Sequence, residues 1–421
     1  MASTRRSGGG FRSAIIIGAG LAGLSAATAL AQEGAEIEII EAAHQAGGRC
    51  RSWFDPVLER VIDNGNHLLL SGNRAAMAYL ARIGAGDRVT GPAQAAIPFF
   101  DLRDALGWTI LPSRGPLPFW LLDPRRRTPG ASLIEHIAFV QLALAQGERT
   151  VGQTVASRGM LWERLIRPFL LAALNTKPEL GSAALAGAVI RESLAKGAAA
   201  CAPRIASPTL SAAFIDPALA FLGARGAKVR LGERVRAIGF EGGRAATLAT
   251  SAGDHDCSEC AVVLAVPPWI AASLLPGLEA PDAFNAIVNG HFACAPPPGA
   301  PAVLGLIGGT AEWVFAFPDR LSVTVSGAEE IVDVDRGELA RLFWSDISKA
   351  LDLQCDMPNW QIVKERRATF AATPDQNARR PGPRTALPNL FLAGDWTATG
   401  LPATIEGAIR SGETAASLAL E

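Results

Sequence analysis

A glycine-rich segment near the start of the chain has the residue types and spacing that bind a dinucleotide. It fits the pattern G-x-G-x-x-G, which holds a diphosphate when a strand precedes it and a helix follows. Gly18 permits a tight turn, Gly20 lets a diphosphate approach the backbone, and Gly23 lets the helix pack closely on the strand. The helix N-terminus then offers unpaired N–H groups and a partial positive charge to the phosphates. We therefore predict that the cofactor-binding residues include Gly18, Ala19, Gly20, Leu21, Ala22 and Gly23.

A carboxylate and a second glycine turn follow this segment. Glu41 ends the next predicted strand, 18 residues after Gly23, where it can accept hydrogen bonds from the hydroxyls of an adenosine ribose. Gly47 and Gly48 then form a turn beside Arg49, whose guanidinium fork suits a second phosphate contact. Taken alone, this second turn is explained equally well as a solvated basic loop.

The glycine turn requires a strand before it and a helix after it, and the hydrophobic pattern predicts both. Strands are predicted at residues 13–17 and 35–40, with a helix at residues 21–32 between them. A second β-rich block spans residues 227–266 and is typical of a small meander that returns to the first sheet.

The end of the chain repeats the order of strand, glycine-containing turn and helix. Residues 390–393 predict a short strand, which leads through a Gly-Asp turn into a helix from about Thr404 to residue 420. We therefore predict an α/β fold with two domains, a Rossmann-like dinucleotide-binding domain and a mixed α+β substrate domain, both discontinuous in sequence. The predicted bounds are 12–75, 205–270 and 385–421 for the first domain, and 76–204 and 271–384 for the second.

Composition limits the classes of function. The chain has 421 residues, of which 49% are hydrophobic and 19% charged, so it can bury a large core. Its net charge of -1 gives no global basic excess for a nucleic-acid partner. Six cysteines are scattered along the chain, and the C-x-x-C pair Cys257 and Cys260 lacks a second pair or a histidine cluster. We predict no metal site.

The N-terminus resembles an export signal in one respect, because Arg5 and Arg6 precede an apolar run. Three glycines interrupt that run, and cleavage there would delete the nucleotide motif. We therefore predict a cytoplasmic chain with a short disordered start, from Met1 to about Phe11. The sequence has no uninterrupted apolar stretch of the length that spans a membrane.

With these segments in place, the chain resembles the flavin amine oxidase/phytoene desaturase superfamily, and this resemblance implies FAD as the cofactor. It implies that Asp395, after Gly394, lies near the phosphate and ribityl chain, and that the helix after it points its N-terminus at the flavin C2 carbonyl. The matching segments are residues 17–24, Glu41, 47–49, 265–268, 390–395 and 404–412. The further cofactor residues implied are Val235 at the adenine, Pro267 beside the flavin, and Gly394, Asp395, Thr404 and Ile405.

Within the superfamily, residues 63–73 and 394–404 resemble the squalene-associated FAD-dependent desaturases of bacterial hopanoid synthesis. This implies reduction of hydroxysqualene, a long-chain C30 isoprenoid alcohol, to squalene, with an electron donor that the sequence does not identify. A carotenoid or squalene-type desaturase, which uses the flavin oxidatively, stays open, as does a non-catalytic FAD- or lipid-binding protein. An amine oxidase is disfavoured because Thr404 stands where that class usually has an aromatic residue, and Tyr79 is the only tyrosine.

The implied chemistry requires a general acid that assists loss of the hydroxyl, an effect typically worth about 100- to 10,000-fold. We predict Asp63 and His67 as candidates because they follow the N-terminal cofactor unit. Two ordinary explanations compete with this prediction. The sequence Asp-Asn-Gly is also typical of a tight turn, and a single histidine often makes only a structural hydrogen bond.

An isoprenoid substrate comes from a membrane, so peripheral contact with the inner face of the cell membrane is expected. Residues 117–122 are rich in Leu, Phe and Trp and precede three arginines at 125–127, a composition that suits an interfacial contact. Residues 160–174 are a second candidate. Burial in the core explains both segments equally well.

Overall fold

The computed structural model describes residues 10–115 and 119–421. The predicted disordered start lies almost wholly outside the described residues, as does the beginning of the apolar segment 117–122. In the part of the chain that is described, no helix combines the length and the apolar character that crossing a bilayer requires.

The strands of the described residues follow one another in several groups along the chain, and most of them are short. In chain order they are β1 (Ser13–Ile17), β2 (Glu36–Glu41), β3 (Ser52–Asp55), β4 (Arg60–Asp63), β5 (Leu69–Leu70), β6 (Val89–Thr90), β7 (Ile97–Asp101), β8 (Leu106–Ile110), β9 (Pro203–Ala206), β10 (Lys228–Leu231), β11 (Val235–Glu241), β12 (Arg244–Thr250), β13 (Asp254–Asp256), β14 (Ala261–Leu264), β15 (Phe284–Phe292), β16 (Val303–Ile307), β17 (Trp313–Phe317), β18 (Arg320–Ser326), β19 (Trp360–Phe370) and β20 (Leu390–Leu392).

Helices connect these groups. The α-helices are α1 (Leu21–Gln32), α2 (Arg74–Arg82), α3 (Ile137–Ala143), α4 (Val151–Thr154), α5 (Arg167–Leu174), α6 (Ala183–Glu192), α7 (Ala198–Cys201), α8 (Asp216–Gly223), α9 (Pro268–Leu274), α10 (Arg336–Leu351), α11 (Pro374–Ala378) and α12 (Ile405–Leu420). Single π-helical turns precede α5 and α8, at Trp162–Ile166 and Ser211–Ile215. The 3-10 turns are Gly48–Cys50, Gly86–Arg88, Phe119–Leu122, Ile134–His136, Pro178–Leu180, Leu194–Lys196 and Ala328–Glu330.

A five-stranded parallel sheet contains the predicted nucleotide unit. Its strand order is β10-β2-β1-β14-β20, and every neighbouring pair is parallel. Strands such as β1 and β14 are short β-branched and aliphatic runs because both faces of the sheet are covered. Helices α1, α8 and α12 pack against one face, and the antiparallel sheet β11-β12-β13 packs against the other. The predicted strand–helix–strand unit is present.

The first and last helices of this sheet approach each other very closely. A Cβ atom at Gly412 in α12 would lie 2.2 Å from the carbonyl oxygen of Ala22 in α1. The Ser25 hydroxyl donates a hydrogen bond of 3.0 Å to the Ile409 carbonyl across the same contact. Small residues at the interface therefore fix the C-terminal helix against the N-terminal nucleotide unit.

A seven-stranded sheet lies at the centre of the second region. Its order is β19-β15-β18-β17-β16-β7-β8, so two strands from early in the chain extend a sheet built mainly after residue 284. Helix α10 covers one face through Leu339, Phe343 and Ile347. The other face carries Phe99, Phe315 and further aromatic residues, which pack against the helices between residues 137 and 192.

One predicted membrane-contacting segment is part of this core. In residues 160–174 Met160 is exposed, and most of the other apolar side chains are buried, namely Leu161, Trp162, Leu165, Ile166, Leu170, Leu171 and Leu174. Most of the apolar side chains of this segment therefore belong to the core beneath the seven-stranded sheet, and membrane contact by its exposed start at Met160 stays a prediction. The strands of the parallel sheet come from three separated stretches of the chain, and the domain bounds given above stay a prediction.

The contact between α1 and α12 predicts the effect of a single methyl group. Gly412→Ala should lower the free energy of unfolding by about 1–3 kcal/mol, because backbone must move to admit the new Cβ atom. Gly223→Ala is the matched control, since a Cβ atom at this helical glycine meets nothing within 4 Å. Thermal unfolding followed by circular dichroism checks both variants. Equal melting temperatures for Gly412→Ala and the unmodified chain would contradict the packing argument.

Candidate functional site

The glycine turn between β1 and α1 forms a shallow backbone cradle. Gly18 has φ of 105°, and its N–H donates to the Ile40 carbonyl at 2.8 Å. Gly23 must be a glycine, because a Cβ atom there would lie 2.0 Å from the Gly18 oxygen. At Gly20 a Cβ atom would meet nothing within 4 Å. The surface beside Gly20 is therefore open at the N-terminus of α1, where Gly20 itself is the cap.

Glu41 fixes the shape of this turn. One oxygen of its carboxylate accepts a hydrogen bond of 2.7 Å from the Ala19 N–H, and the other accepts one of 2.8 Å from the Ala43 N–H. Each carboxylate oxygen can accept a further hydrogen bond. Glu41 thus orders the glycine turn and keeps acceptor capacity for a ribose hydroxyl.

The second glycine turn lies directly over the first. The Gly47 N–H donates to the Ala19 carbonyl at 2.8 Å, and a Cβ atom at Gly48 would lie 3.4 Å from the Gly20 Cα. Both glycines have positive φ, 112° for Gly47 and 56° for Gly48. The structure therefore brings the two predicted phosphate-binding turns together at one place.

Arg49 joins this N-terminal region to the end of the chain. Its Nη2 atom lies 2.7 Å from both carboxylate oxygens of Asp395, and its Nη1 atom donates to the Ala368 carbonyl at 2.5 Å. Burial opposes the charge of Arg49, but the Asp395 carboxylate outweighs it and raises the pKa of the guanidinium above its ordinary value. Arg380 donates to the Asp395 carbonyl from the other side, at 3.0 Å, and burial lowers its pKa to about 10.

The Gly-Asp turn after β20 is held by its neighbours in a strained conformation. Gly394 has φ of 150°, and a Cβ atom there would lie 2.3 Å from the Trp396 indole nitrogen. That nitrogen donates to the Val266 carbonyl at 2.9 Å, next to the predicted residue Pro267. The Gly394 N–H donates to Ser411 of α12 at 2.8 Å. These contacts place the ends of β14 and β20 beside each other.

Helix α12 begins at this turn with a side-chain cap. The Thr404 hydroxyl accepts a hydrogen bond of 3.0 Å from the Gly407 N–H, so the helix starts at Ile405. The buried carboxylate of Glu406 binds the N-terminus of a different helix. It accepts hydrogen bonds from the Ala75 and Ala76 N–H groups and so caps α2. Val235, the predicted adenine contact, is buried at the start of β11.

Asp63 is buried, and structural partners occupy its carboxylate. One oxygen accepts hydrogen bonds from the Ser52 hydroxyl at 2.6 Å and from the Leu210 N–H at 2.8 Å. The Arg320 guanidinium lies 3.8 Å from the other oxygen. Burial raises the pKa of Asp63, although these partners oppose the rise. The geometry favours a positioning role for Asp63, and a direct proton transfer from it stays a prediction.

His67 lies near Arg49. Burial, followed by the charge of Arg49, lowers its pKa to about 4. Its imidazole is therefore neutral at physiological pH. A neutral imidazole can still donate its N–H, but it is a much weaker acid than an imidazolium.

The loop that carries His67 rests on a buried polar network that the sequence did not reveal. Asn289 accepts from the Asn66 N–H at 3.4 Å and from the Thr324 hydroxyl at 2.7 Å. Its amide donates to the Asn64 carbonyl at 3.3 Å. His291 on the same strand contacts the Asp63 carbonyl through Nε2 at 3.1 Å. Residues more than 200 positions away thus hold the loop, and no local pattern signals them.

Glu365 is a second residue that sequence reasoning missed. It lies on β19 and accepts a hydrogen bond of 3.3 Å from the Asn64 amide. Its charge also contributes to the raised pKa of Arg49. The half-buried carboxylate therefore reaches the same loop as Asp63 and His67. In the sequence it stands in a run of charged residues that is typical of an exposed strand.

The comparisons with known proteins agree with this geometry. The family model described as flavin containing amine oxidoreductase matches residues 21–420. The hydroxysqualene dehydroxylase of Rhodopseudomonas palustris is 51% identical over 407 residues, which cover 96% of this chain and 97% of that protein. The protein of the same name from Sinorhizobium fredii is 48% identical over 408 residues, which cover 96% and 97%.

Similarity to other relatives is narrower or more distant. The 15-cis-phytoene desaturase of Solanum lycopersicum is 34% identical over 87 residues, 21% of this chain and 15% of that protein. Among solved structures, an oxidoreductase from Methanosarcina mazei has a TM-score of 0.70 at 16% identity and covers 96% of this chain and 99% of its own. A putrescine oxidase bound to putrescine has a TM-score of 0.68 at 15% identity, covering 96% and 98%. These structures confirm the predicted α/β fold and nothing further.

The ion pair between Arg49 and Asp395 predicts how the cofactor is retained. Asp395→Asn should weaken flavin binding by about 10- to 100-fold, because a charge-assisted hydrogen bond is worth about 1.5–3 kcal/mol and two guanidinium groups lose their counter-charge. Flavin absorbance per chain after gel filtration measures the effect. Asp333→Asn, at an exposed ion pair with Arg366, is the control that should retain the cofactor. Equal retention by both variants would overturn the assignment.

The pKa of His67 predicts acid sensitivity. Because that pKa is lowered from 6.5 to about 4, the unfolded chain binds this proton more readily than the folded chain. The contribution of His67 to stability is therefore complete above pH about 6.5 and is lost as the pH falls toward 4. His67→Gln should show a smaller drop in melting temperature across that window than the unmodified chain. An identical drop in both proteins would show that His67 is not responsible.

Proposed function

The chain belongs to the flavin-containing amine oxidoreductase family, and from this premise we propose that it reduces hydroxysqualene to squalene with FAD in hopanoid biosynthesis. The observation that carries the proposal is similarity of about half of all residues to hydroxysqualene dehydroxylases over 96% of the chain. The site supports it, because two glycine turns, Glu41 and the pair of Arg49 with Asp395 converge at the N-terminus of α1. A dinucleotide of the FAD type fits these donors and acceptors.

An oxidative desaturase is the alternative, and it fits less well. The phytoene desaturases match only about a fifth of this chain and 15% of their own length. An amine oxidase is less favoured still. Tyr79 is fully buried, and its hydroxyl donates to the Phe214 carbonyl at 2.8 Å. The only tyrosine is therefore unavailable for an aromatic cage around an amine.

The proposed reaction breaks the allylic C–O bond and forms a C–H bond at the same isoprenoid skeleton. Loss of the hydroxyl would leave an allylic cation, and reduced FAD, when bound, would supply the hydride that quenches it and would itself become oxidised. The hydroxyl takes up one proton as it leaves as water. The protein must therefore orient a long apolar alcohol, deliver one proton to its oxygen and keep other water away from the cation.

Three groups around one loop are proposed as the source of that proton. His67 and Asp63 are the two predicted from the sequence, and Glu365 is added because its carboxylate reaches the same loop at Asn64. A different property limits each of these groups as a proton donor. Asp63 already accepts two hydrogen bonds, His67 is neutral, and Glu365 is half-buried with a single amide partner. Of the three groups, Glu365 therefore has the most hydrogen-bonding capacity left for a substrate hydroxyl.

The residues proposed to hold FAD are those that the geometry brings together. Backbone N–H groups at the start of α1 and the turn at Gly47 would bind the diphosphate, and Glu41 would accept the ribose hydroxyls. The N-terminus of α12 would stabilise negative charge on the flavin ring. Val235 and Pro267 are proposed at the two ends of the cofactor. An external electron donor must restore reduced FAD, and the substrate would arrive from the inner face of the cell membrane.

The proposed function predicts single-turnover chemistry without added electron donor. Photoreduced protein mixed anaerobically with hydroxysqualene should form squalene, with flavin absorbance returning at the same rate. Glu365→Gln should slow squalene formation by about 100-fold or more if that carboxylate is the general acid. Asp63→Asn and His67→Ala are measured beside it, and Glu330→Gln, at an exposed pair with Lys177, is the control.

The outcomes separate the residues from the reaction. A variant that keeps its flavin and melting temperature but loses squalene formation identifies the proton donor. Unchanged rates in all three variants would remove all three groups. Failure of the unmodified protein to form squalene, together with conversion of a polyene precursor by the oxidised protein, would replace the proposal with the desaturase alternative.

A further inference from the structure

Helix α3 and the turn before it expose a row of large aliphatic side chains. The row has helical spacing of three and four residues, so its members share one face. The opposite face is buried through Ala138 and Leu142, which pack toward α6. The exposed side chains, with their exposed fractions, are Leu133 (52%), Ile134 (79%), Ile137 (56%), Val140 (56%) and Leu144 (74%). We call this set the α3 stripe.

Further apolar side chains lie near the beginning of the α3 stripe. Trp120 packs edge-to-face on His136, with ring centroids 6.1 Å apart, and its neighbours Phe119 and Leu122 are 64% and 72% exposed. Met160 is also exposed, next to Gly130. Isolated exposed apolar residues are normal on soluble proteins, but a contiguous set of this size marks an interaction surface.

Arginines border the α3 stripe. Arg158 lines a groove of about 270 Å³ together with Ile134 and Ile137. Arg149 lines a second groove together with Leu144. Both arginines are exposed, and the guanidinium of Arg149 also donates to the Gln153 carbonyl.

Two more arginines lie against the other side of α3. Arg191 donates to the Ala143 carbonyl at 2.6 Å, and Arg127 is close enough to His136 to lower its pKa, after the larger effect of burial. The acidic neighbours are fewer. Glu135 has its carboxylate on the Ser132 and Leu161 N–H groups, and Glu148 is exposed.

We propose that the α3 stripe and its arginine border are a docking surface for an anionic lipid bilayer. The 12 residues from Leu133 to Leu144 extend over roughly 18 Å, a length that suits a segment lying in the headgroup plane. An apolar face with arginines at its edges is the pattern of an interfacial helix, whose side chains enter the acyl boundary while the cations meet anionic headgroups. The proposal rests on the proposed function only for the identity of the substrate that the membrane supplies.

A second copy of the chain is a less suitable occupant. A two-fold dimer places the same surface on both sides of its interface. Association through the α3 stripe would therefore bring the two arginine borders near each other, and their like charges would repel. The groove beside the stripe also has an apolar floor of Leu161, Trp162 and Ile166, a recess that can take a flexible acyl or isoprenoid chain.

Vesicle flotation tests the docking surface independently of catalysis. The flavin-loaded protein is mixed with phosphatidylcholine vesicles, with or without phosphatidylglycerol, and no hydroxysqualene is present. We expect flotation with the phosphatidylglycerol vesicles. The double variant Val140→Glu with Leu144→Glu should partition at least roughly tenfold less, because two buried aliphatic contacts are lost. Arg149→Glu with Arg158→Glu should lose roughly tenfold or more, and only on the anionic vesicles.

Leu342→Glu is the matched control, because it places the same charge on an exposed leucine (41%) of α10, a different helix. It should float as the unmodified protein does. Each variant must keep its flavin and its circular dichroism spectrum, and each should still form squalene from detergent-dispersed substrate if the proposed function holds. Loss of that activity in the unmodified protein would count against the proposed function and would leave the flotation result unaffected.

Three results would overturn the docking proposal. The first is that the unmodified protein does not float with anionic vesicles. The second is that Leu342→Glu reduces flotation as much as the α3 variants do. The third is a dimer in light scattering that the Val140→Glu and Leu144→Glu changes dissociate, which would make a second copy the occupant.

Discussion

The ion pair between Arg49 and Asp395 is the contact on which the site depends, because it joins residues 346 positions apart. Arg49 follows the second glycine turn, and Asp395 follows the last strand of the parallel sheet. The same guanidinium also donates to the Ala368 carbonyl on β19, so it connects both sheets at once. A guanidinium can make these contacts together because its two terminal nitrogens bind different partners, whereas a lysine ammonium has a single nitrogen. Three regions of the chain therefore have to fold together before the site exists.

Because three regions of the chain must fold together, the glycines where they meet are closely packed. Gly394 has no room for a side chain beside Trp396, whose indole is fixed by the Val266 carbonyl. Gly412 has none beside α1. The loop at Asp63 is fixed in a different way, through the polar network that includes Asn289. In this network Asn289 is paired on both its oxygen and its nitrogen, whereas the Asn66 side-chain oxygen has no hydrogen-bond partner among the described residues. Packing thus positions the cofactor side of the site, and hydrogen bonds position the loop that carries the proposed proton donors.

The parts of the fold that follow from local chemistry could be predicted from the sequence. The bounds of α1 agree with the prediction because a glycine turn and an alanine-rich run define both ends. Strand β2 begins one residue later than predicted, since the Ala35 N–H still closes α1 on the Leu30 carbonyl. Long-range pairing was not predictable: nothing local assigns β7 and β8 to a sheet completed by β15–β19. The carboxylate of Glu365 and the exposed face of α3 were missed for the same reason, because burial is decided by partners distant in sequence.

The charges around Arg49 set the sign of the field that a cofactor meets. Arg49 contacts the side-chain carboxylate of Asp395 and Arg380 contacts its backbone carbonyl, while the backbone N–H groups at the start of α1 add partial positive charge. The neighbouring His67 cannot add to this charge, because burial and Arg49 keep its imidazole neutral. The positive charge around the two glycine turns therefore comes from guanidinium groups and helix N-termini, which do not titrate near neutral pH. The partial positive charge at the start of α1 favours a diphosphate in either redox state, and that at the start of α12 favours the anionic form of a reduced flavin. The arrangement that assembles the fold is therefore also suited to hold a hydride donor in its charged form, beside the loop of Asp63 and His67 that the Glu365 carboxylate reaches from β19.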